Sequence, residues 1–166
     1  HKNIADSVIF SGGEPTLQPT NLKKACQIAK RIGYDVMLNT NGTNPDIVTD
    51  LISNKLIDRV AMDVKTRLDL DSYFDLTSCT LAVDDIKETM KICKDNQIHL
   101  EIRTTVVPNI TNEAIIQDIA QYIKQYADEY HLQEFNPKDA LDESLRALSP
   151  PTLEEMTNFG EIAKRN

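Results

Sequence analysis

The segment from Val8 to Pro15 reads Val-Ile-Phe-Ser-Gly-Gly-Glu-Pro and indicates how the chain begins to fold. Its first three residues are apolar and predict a buried β-strand, which the two glycines end. Beyond it, apolar residues recur with helical spacing, at Leu22, Ala25, Cys26, Ala29 and Ile32. Strand, glycine turn and helix together form one βα unit.

The same order of strand and helix continues along the rest of the chain. Further strands are predicted at residues 36–38, 60–64, 98–107 and 132–135. Helices are predicted to begin at Asn44-Pro45 and at Thr152, which opens a capping-box pattern, and two more lie near 83–93 and 115–123. Residues 66–80 lack clear periodicity, and residues 136–151 are predicted to be a long loop. About five βα repeats predict an α/β fold with a parallel sheet.

Two architectures are compatible with this order, an open doubly wound sheet and part of a β/α barrel. A complete eight-unit barrel needs about 250 residues, and the chain has 166. Strands of a doubly wound sheet are apolar on both faces. Here three strands carry a second, mostly polar set of alternate residues, namely Met37, Asn39, Asn41, Ala61, Asp63, Lys65, His99, Glu101, Arg103 and Thr105. One polar face across three strands favours a partial barrel with a charged interior.

Composition limits the classes of binding partner and the cellular compartment that are compatible with the chain. The net charge of −8 argues against nucleic acid as a partner, and no apolar run approaches the length of a membrane span. The three cysteines, Cys26, Cys79 and Cys93, are odd in number and widely spaced, which argues against a disulfide framework and predicts a cytoplasmic protein. Cys26 and Cys93 fall on apolar helix faces, where a cysteine is expected to act as a small hydrophobic residue.

Ligands of α/β folds bind at the carboxyl ends of strands, and the first four predicted strands all end in polar residues. The first ends in Ser11-Gly12-Gly13-Glu14, where the glycines let a ligand approach the main chain and the carboxylate can accept bonds from an ammonium group. The other three ends are Asn39 to Gly42, Asp63 to Lys65, and Arg103 to Thr105. No GxGxxG or GxxxxGK[ST] pattern supports a dinucleotide or nucleoside triphosphate site.

In their order along the chain, these segments resemble the radical S-adenosylmethionine enzymes. Residues 10–18 resemble the family's GGEP segment, 38–45 its TNG strand end, 60–65 its DxK strand and 101–108 its arginine strand. The set is most similar to the glycyl-radical activating enzymes, first the activators of anaerobic ribonucleoside-triphosphate reductase and next those of pyruvate formate-lyase. The resemblance covers about residues 7 to 137.

The resemblance implies a partial (βα)6 barrel that binds S-adenosylmethionine. The glycine pair and the glutamate would hold the methionine amino group, and the TNG residues would lie near the ribose or the methionyl carboxylate. Asp63, Lys65 and Arg103 would contact other polar ends of the cofactor or shape the channel. The cofactor-binding residues expected on this basis are Gly12, Gly13, Glu14, Thr40, Asn41, Asp63, Lys65 and Arg103.

The resemblance also implies a reaction and its partners. A reduced [4Fe–4S] cluster splits S-adenosylmethionine into methionine and a 5′-deoxyadenosyl radical, which abstracts hydrogen from a glycine of a partner enzyme. Such chemistry belongs to the cofactor, while the protein supplies placement and electrostatics. The implied partners are a glycyl radical enzyme and a reductant such as flavodoxin or ferredoxin.

The family holds its cluster in a CxxxCxxC loop that lies upstream of GGEP, and in this sequence that run already begins at Gly12. Residues 1–166 are therefore expected to be a single partial barrel domain that lacks the first strand and the cluster loop. We expect a fragment of a longer protein that is inactive alone, with a natural degenerate homologue as the other explanation. An uncovered sheet edge would favour dimerisation of such a piece.

Two other functions remain open from the sequence. One is a cluster-less homologue that binds S-adenosylmethionine without redox chemistry. The other is an ordinary β/α metabolic enzyme with a phosphate site, which would need a glycine-rich loop near the last strands, and the sequence has none there. Cysteines upstream of the chain would separate the radical enzyme from the non-redox module.

Overall fold

A computed structural model describes residues 5–77, 82–140 and 142–165; Cys79 lies outside these ranges. Within these ranges, five strands form one parallel sheet. They are β1 (Ser7–Phe10), β2 (Asp35–Thr40), β3 (Arg59–Asp63), β4 (His99–Val106) and β5 (Glu129–Glu134). The predicted parallel α/β sheet is confirmed.

Helices connect successive strands and follow the last one. They are α1 (Pro19–Ile32), α2 (Pro45–Ser53), α3 (Leu70–Thr77), α4 (Ala82–Asp95), α5 (Glu113–Ile123), α6 (Glu143–Arg146) and α7 (Leu153–Lys164). The predicted capping box is present, because Thr152 and Glu155 each accept a bond from the other's backbone at the start of α7. None of the described helices combines the length and apolar character needed to cross a bilayer.

The strand order decides between the two architectures. Spatial order equals sequence order, β1 to β5, with no reversal. Right-handed crossovers between such strands place the connecting helices on one side of the sheet, whereas a doubly wound sheet reverses its order partway. Within the described residues β1 pairs only with β2 and β5 only with β4, so the sheet is not closed. This is the arrangement of a partial β/α barrel.

Burial alternates along the strands as the sequence predicts. On the helix side, strand residues are fully buried, among them Val36, Leu38, Val60, Met62, Leu100 and Ile102. Removing each such side chain from water contributes roughly 1.5–3 kcal/mol. We call the opposite side the open face; partly or fully exposed on it are Asn39, Asp63, His99, Glu101, Arg103 and Thr105. Met37 and Ala61 also face this side but are buried.

Two segments that lack periodicity contain helices that the sequence prediction missed. Residues 66–80 include α3, where Asp69 accepts bonds of 2.8 Å from the backbone and the hydroxyl of Ser72. The predicted loop at 136–151 contains a 3-10 helix at Pro137–Asp139 and the single turn α6, where Asp142 caps Ser144 in the same way. Side-chain caps nucleate these turns, and they are too short to show an apolar period.

The fifth strand starts three residues earlier than predicted, at Glu129 instead of Leu132. The register pairs Glu129 with Glu101, Tyr130 with Ile102 and His131 with Arg103. Two of these added residues, Glu129 and His131, are polar and face the open side. The start of the strand therefore has no apolar run that sequence analysis could detect.

The turn after β2 depends on Gly42. Its φ is 79°, and a Cβ there would overlap the Sδ of Met62. Its carbonyl accepts a buried 2.8 Å bond from the Thr89 hydroxyl on α4. The glycine of the TNG segment therefore fixes how the loop packs between the sheet and α4.

We predict that Gly42→Ala lowers the free energy of unfolding by roughly 2–4 kcal/mol, because a left-handed backbone and an overpacked core each cost about 1–3 kcal/mol. Urea denaturation measures the change. Gly160→Ala is the matched control: an added Cβ meets nothing within 4 Å on α7, and alanine favours a helix by up to about 1 kcal/mol. Equal effects of both substitutions would contradict the packing role of Gly42.

Candidate functional site

The carboxylate of Glu14 joins the ends of β1 and β2. Its Oε1 accepts bonds from the Thr16 backbone at 3.0 Å, the Thr16 hydroxyl at 2.6 Å and the Thr40 hydroxyl at 2.9 Å. Its Oε2 accepts a 2.7 Å bond from the backbone of Asn41. Bonds to an ionised acceptor are the stronger kind, so this one side chain fixes two strand ends.

A second set of bonds holds the loop around that carboxylate. The Thr40 hydroxyl accepts from the Gly42 backbone at 3.1 Å, and the Asn41 Oδ1 accepts from the Thr43 backbone at 3.0 Å. The Asn44 side chain donates to the Thr16 hydroxyl at 2.8 Å. The side chains of Thr40 and Asn41, predicted to lie near a cofactor, thus also organise their own loop.

The glycine pair presents bare main chain at the end of β1. Gly12 and Gly13 have φ values of 96° and 54°, and both are exposed. An added Cβ would meet nothing within 4 Å at either position. Backbone conformation therefore requires glycine here, and the space beside the peptide groups is open to a ligand.

An unsatisfied acceptor lies beside this open main chain. Asn39, on the open face of β2, directs its Nδ2 at the Ser11 hydroxyl at 3.3 Å, but its buried Oδ1 has no hydrogen-bond partner within the described residues. A buried acceptor without a donor costs about 1–3 kcal/mol. A ligand that brings an ammonium or hydroxyl donor fits this position.

The third group of predicted site residues lies at the ends of β3 and β4. Asp63 and Arg103 are register partners on the open face, and the Arg103 Nε donates to Glu101 Oε1 at 2.6 Å. Asp63 and Lys65 are exposed and form no ion pair with any part of the chain that the structure describes. They are therefore available to charged groups of a ligand.

The structure brings the predicted residues together in two sets at one edge of the sheet. Hydrogen bonds join the Glu14 carboxylate to Thr40 and Asn41, whereas Asp63 is joined to Arg103 by strand register. Three contributing residues were not among the predicted cofactor-binding residues, and one of them is Asn39, with its unsatisfied Oδ1. Thr16 is buried and donates twice to Glu14, and Glu101 orients Arg103. The alternation of β4 placed Glu101 on the right face, but nothing in the sequence pairs it with Arg103.

The described cysteines do not fit an iron–sulfur cluster, which needs several converging thiolates. Cys26 and Cys93 are fully buried on α1 and α4. Burial raises the pKa of Cys26 to about 11 and that of Cys93 to about 12. Both thiols stay protonated at neutral pH, as expected for small hydrophobic residues.

The sequence pattern of the radical SAM superfamily matches residues 1–122. The chain belongs to this family, the radical S-adenosylmethionine superfamily. It is 42% identical over 166 residues to a protein of Methanocaldococcus jannaschii provisionally named a glycyl-radical enzyme activating enzyme, with 98% of this chain and 68% of that protein aligned. A second protein of that organism with the same provisional name is 30% identical over 129 residues, with 76% of this chain and 49% of that protein aligned.

A solved structure shows the same fold. It is a domain of pyruvate-formate lyase-activating enzyme from Bacteroides vulgatus, with a TM-score of 0.76 and 16% identity, and the match covers 97% of this chain and 94% of that domain. The open five-stranded parallel sheet is thus the partial barrel of a radical SAM protein, which confirms the predicted family and fold class.

We predict that Glu14→Gln lowers the free energy of unfolding by about 1–3 kcal/mol, since an amide nitrogen would face the Asn41 backbone donor or a hydroxyl and leave it unpaired. The measurement is urea denaturation without any ligand. Glu88→Gln, at an exposed position of α4, is the matched control and should change little. No difference between the two variants would mean that Glu14 does not brace the strand ends.

The cysteine environment predicts slow thiol chemistry and a loss of stability at high pH. At roughly pH 8.5 a free thiol is about half ionised, yet Cys26 and Cys93 should resist alkylation until urea unfolds the chain. Their folded pKa values lie above those of the unfolded chain. Unfolding therefore releases protons, and stability is expected to fall as pH rises from about 9 towards 11–12. Rapid labelling of either residue in the folded chain, detected by peptide mass mapping, would contradict this assignment.

Proposed function

We propose that this chain is the S-adenosylmethionine-binding part of an enzyme that places a radical on a glycine of a partner enzyme. Anaerobic ribonucleotide reductase is the favoured partner and pyruvate formate-lyase the next. The observation that carries the proposal is a convergence at one edge of the sheet. An exposed glycine main chain lies there with the Asn39 oxygen and the charges of Asp63 and Lys65, which have no partner among the described residues.

The donors and acceptors at this edge complement the polar groups of S-adenosylmethionine. Its amino group is an ammonium. This group can donate hydrogen bonds to the carbonyl groups of the glycine pair and to the Oδ1 of Asn39. Glu14 contributes a nearby negative charge. Three of the four hydrogen bonds that it accepts within the chain are to Oε1, and one is to Oε2. The amino group is therefore expected to lie at the end of β1, between the glycine pair and β2.

The charges on β3 and β4 suit the other ends of the ligand. Arg103 uses only its Nε towards Glu101 within the described residues, so its two terminal nitrogens remain for a carboxylate. Asp63 can accept from ribose hydroxyls, and Lys65 adds a second cation near the carboxylate. Because Glu101 fixes the guanidinium, less side-chain entropy is lost when the ligand binds.

When bound in the family's enzymes, S-adenosylmethionine supplies the group that abstracts hydrogen. The part of this chain is to hold and orient that ligand at the carboxyl edge of the sheet, above the open face. A one-electron reductant such as flavodoxin or ferredoxin belongs to the same proposal. Support for a glycyl radical enzyme as the partner comes from the provisional names of the two Methanocaldococcus proteins, of which this chain spans 68% and 49%.

The proposal is tested on the full-length protein that contains this chain, purified and reduced without oxygen. We expect it to cleave S-adenosylmethionine to methionine and 5′-deoxyadenosine. Each of the two partner enzymes is then added separately, and electron paramagnetic resonance detects a glycyl radical. A radical on one partner alone identifies the substrate. Tight binding without cleavage would indicate the non-redox module, and absence of binding would refute the proposal.

We predict that Asp63→Asn in the full-length protein weakens S-adenosylmethionine binding by about 10-fold or more, because a hydrogen bond to a charged group is worth roughly 1.5–3 kcal/mol. Calorimetric titration measures the affinity. Asp35→Asn removes an equally exposed carboxylate at the opposite, amino end of the sheet and should leave binding unchanged. Because Asp63 has no ion pair in the described structure, a fall in affinity without a fall in stability separates ligand contact from folding. Equal affinities would remove Asp63 from the site.

A further inference from the structure

A second cluster of titratable side chains lies on the open face beside the candidate site, with His131 level with Arg103 and the two glutamates further from the carboxyl edge. Glu101 on β4 is the register partner of Glu129 on β5, and His131 follows Glu129 by two residues. Alternation of side chains puts all three on the same face. Two adjacent strands therefore direct two carboxylates and an imidazole towards one point.

The distances within this cluster suit a single metal ion. One ligand atom from each of the three residues lies within 4.8 Å of the other two. The Nε2 of His131 is 2.8 Å from Glu129 Oε2 and 3.9 Å from Glu101 Oε1. A tetrahedral zinc ion with bonds of about 2.0–2.2 Å separates its ligand atoms by roughly 3.3–3.6 Å, so the two observed distances lie on either side of the required one.

A fourth donor is close to the same carboxylate. The Nε2 of His99 lies 2.9 Å from Glu129 Oε1, and His99 shares the open face of β4 with Glu101. Glu129 thus has one imidazole at each carboxylate oxygen.

We propose that Glu101, Glu129 and His131 form a binding site for a divalent transition-metal ion, with His99 holding the other oxygen of Glu129. Imidazole nitrogen and carboxylate oxygen are both good ligands for zinc, and this mixed set is unlike the all-oxygen sites that calcium and magnesium prefer. The ion takes the place of the proton that His131 shares with Glu129. It would tie β4 to β5 on the open face.

Two arginines border the cluster without filling it. Arg103 donates to Glu101 Oε1, and Arg59 lies 3.5 Å from Glu129 Oε1. The Glu101 Oε1 is also the oxygen that lies 3.9 Å from His131, and its second lone pair remains for a metal. A hydrogen bond to a ligating carboxylate is the usual arrangement around metals, and Arg103 supplies that bond here.

The test is a titration of the 166-residue chain, stripped with a chelator, with Zn²⁺ by calorimetry and with Co²⁺ by visible absorption. We expect one site, with cobalt bands of low coordination number and no thiolate charge-transfer band. Glu129→Gln and His131→Gln should each weaken binding at least about 10-fold, since even outer hydrogen-bond partners of a metal are worth 10–100-fold. Glu134→Gln removes a carboxylate from the opposite face of the same strand and should have no effect.

His1, the remaining histidine, lies outside the described residues, so His1→Ala serves as a second control. Binding that survives Glu129→Gln, or that His1→Ala abolishes, would overturn the proposal, as would no binding at all. If a variant fails to fold, the melting temperature of the unaltered chain still tests whether the site binds a metal. Zn²⁺ should raise its melting temperature, because an ion that binds only the folded state stabilises it. A cobalt spectrum with thiolate character would assign the ion to cysteine instead.

Discussion

The hydrogen bonds to the Glu14 carboxylate are the interaction on which the site depends. β1 and β2 pair along their length, but the loops that follow them have no ladder to hold them. One ionised side chain replaces that ladder by accepting from Thr16, Thr40 and the Asn41 backbone. The exposed glycine main chain lies directly before Glu14, so its position is fixed by the same bonds. The ligand-accessible glycine loop is therefore held in place by bonds within the chain itself.

The strand order, which runs in one direction from β1 to β5, determines where polar and charged side chains lie on the sheet. Because the connecting helices cover one side of the sheet, the other side keeps polar groups, which are costly to shield unless they are paired. On the open face of β4 and β5 they are paired, Glu101 with Arg103 and Glu129 with two histidines. At the carboxyl edge, Asp63 and Lys65 are not paired in the described structure. Paired charges stabilise the open face, and unpaired ones at the edge are available for a ligand.

Much of this could be predicted from the sequence, since it rests on local periodicity. Alternation along β4 separates Leu100 and Ile102 from Glu101 and Arg103, and the polar strand ends indicate the candidate site. The helices α3 and α6 were not predicted, because each is short and is started by hydrogen bonds to one side chain, Asp69 or Asp142. Likewise, the bond from Thr40 to Glu14 joins residues 26 positions apart, and only the register of β1 and β2 brings them together. The same holds for Glu101 and Glu129, which meet through the pairing of β4 with β5.

A crystal structure of the full-length protein with S-adenosylmethionine bound is the most direct test of the central claim. The account predicts the ligand at the carboxyl edge, with its amino group in hydrogen-bond contact with the glycine pair and the Oδ1 of Asn39, and with the Glu14 bonds to Thr40 and Asn41 unchanged. A ligand bound elsewhere on the chain, or a Glu14 side chain that leaves Thr40 and Asn41 when the ligand binds, would contradict it.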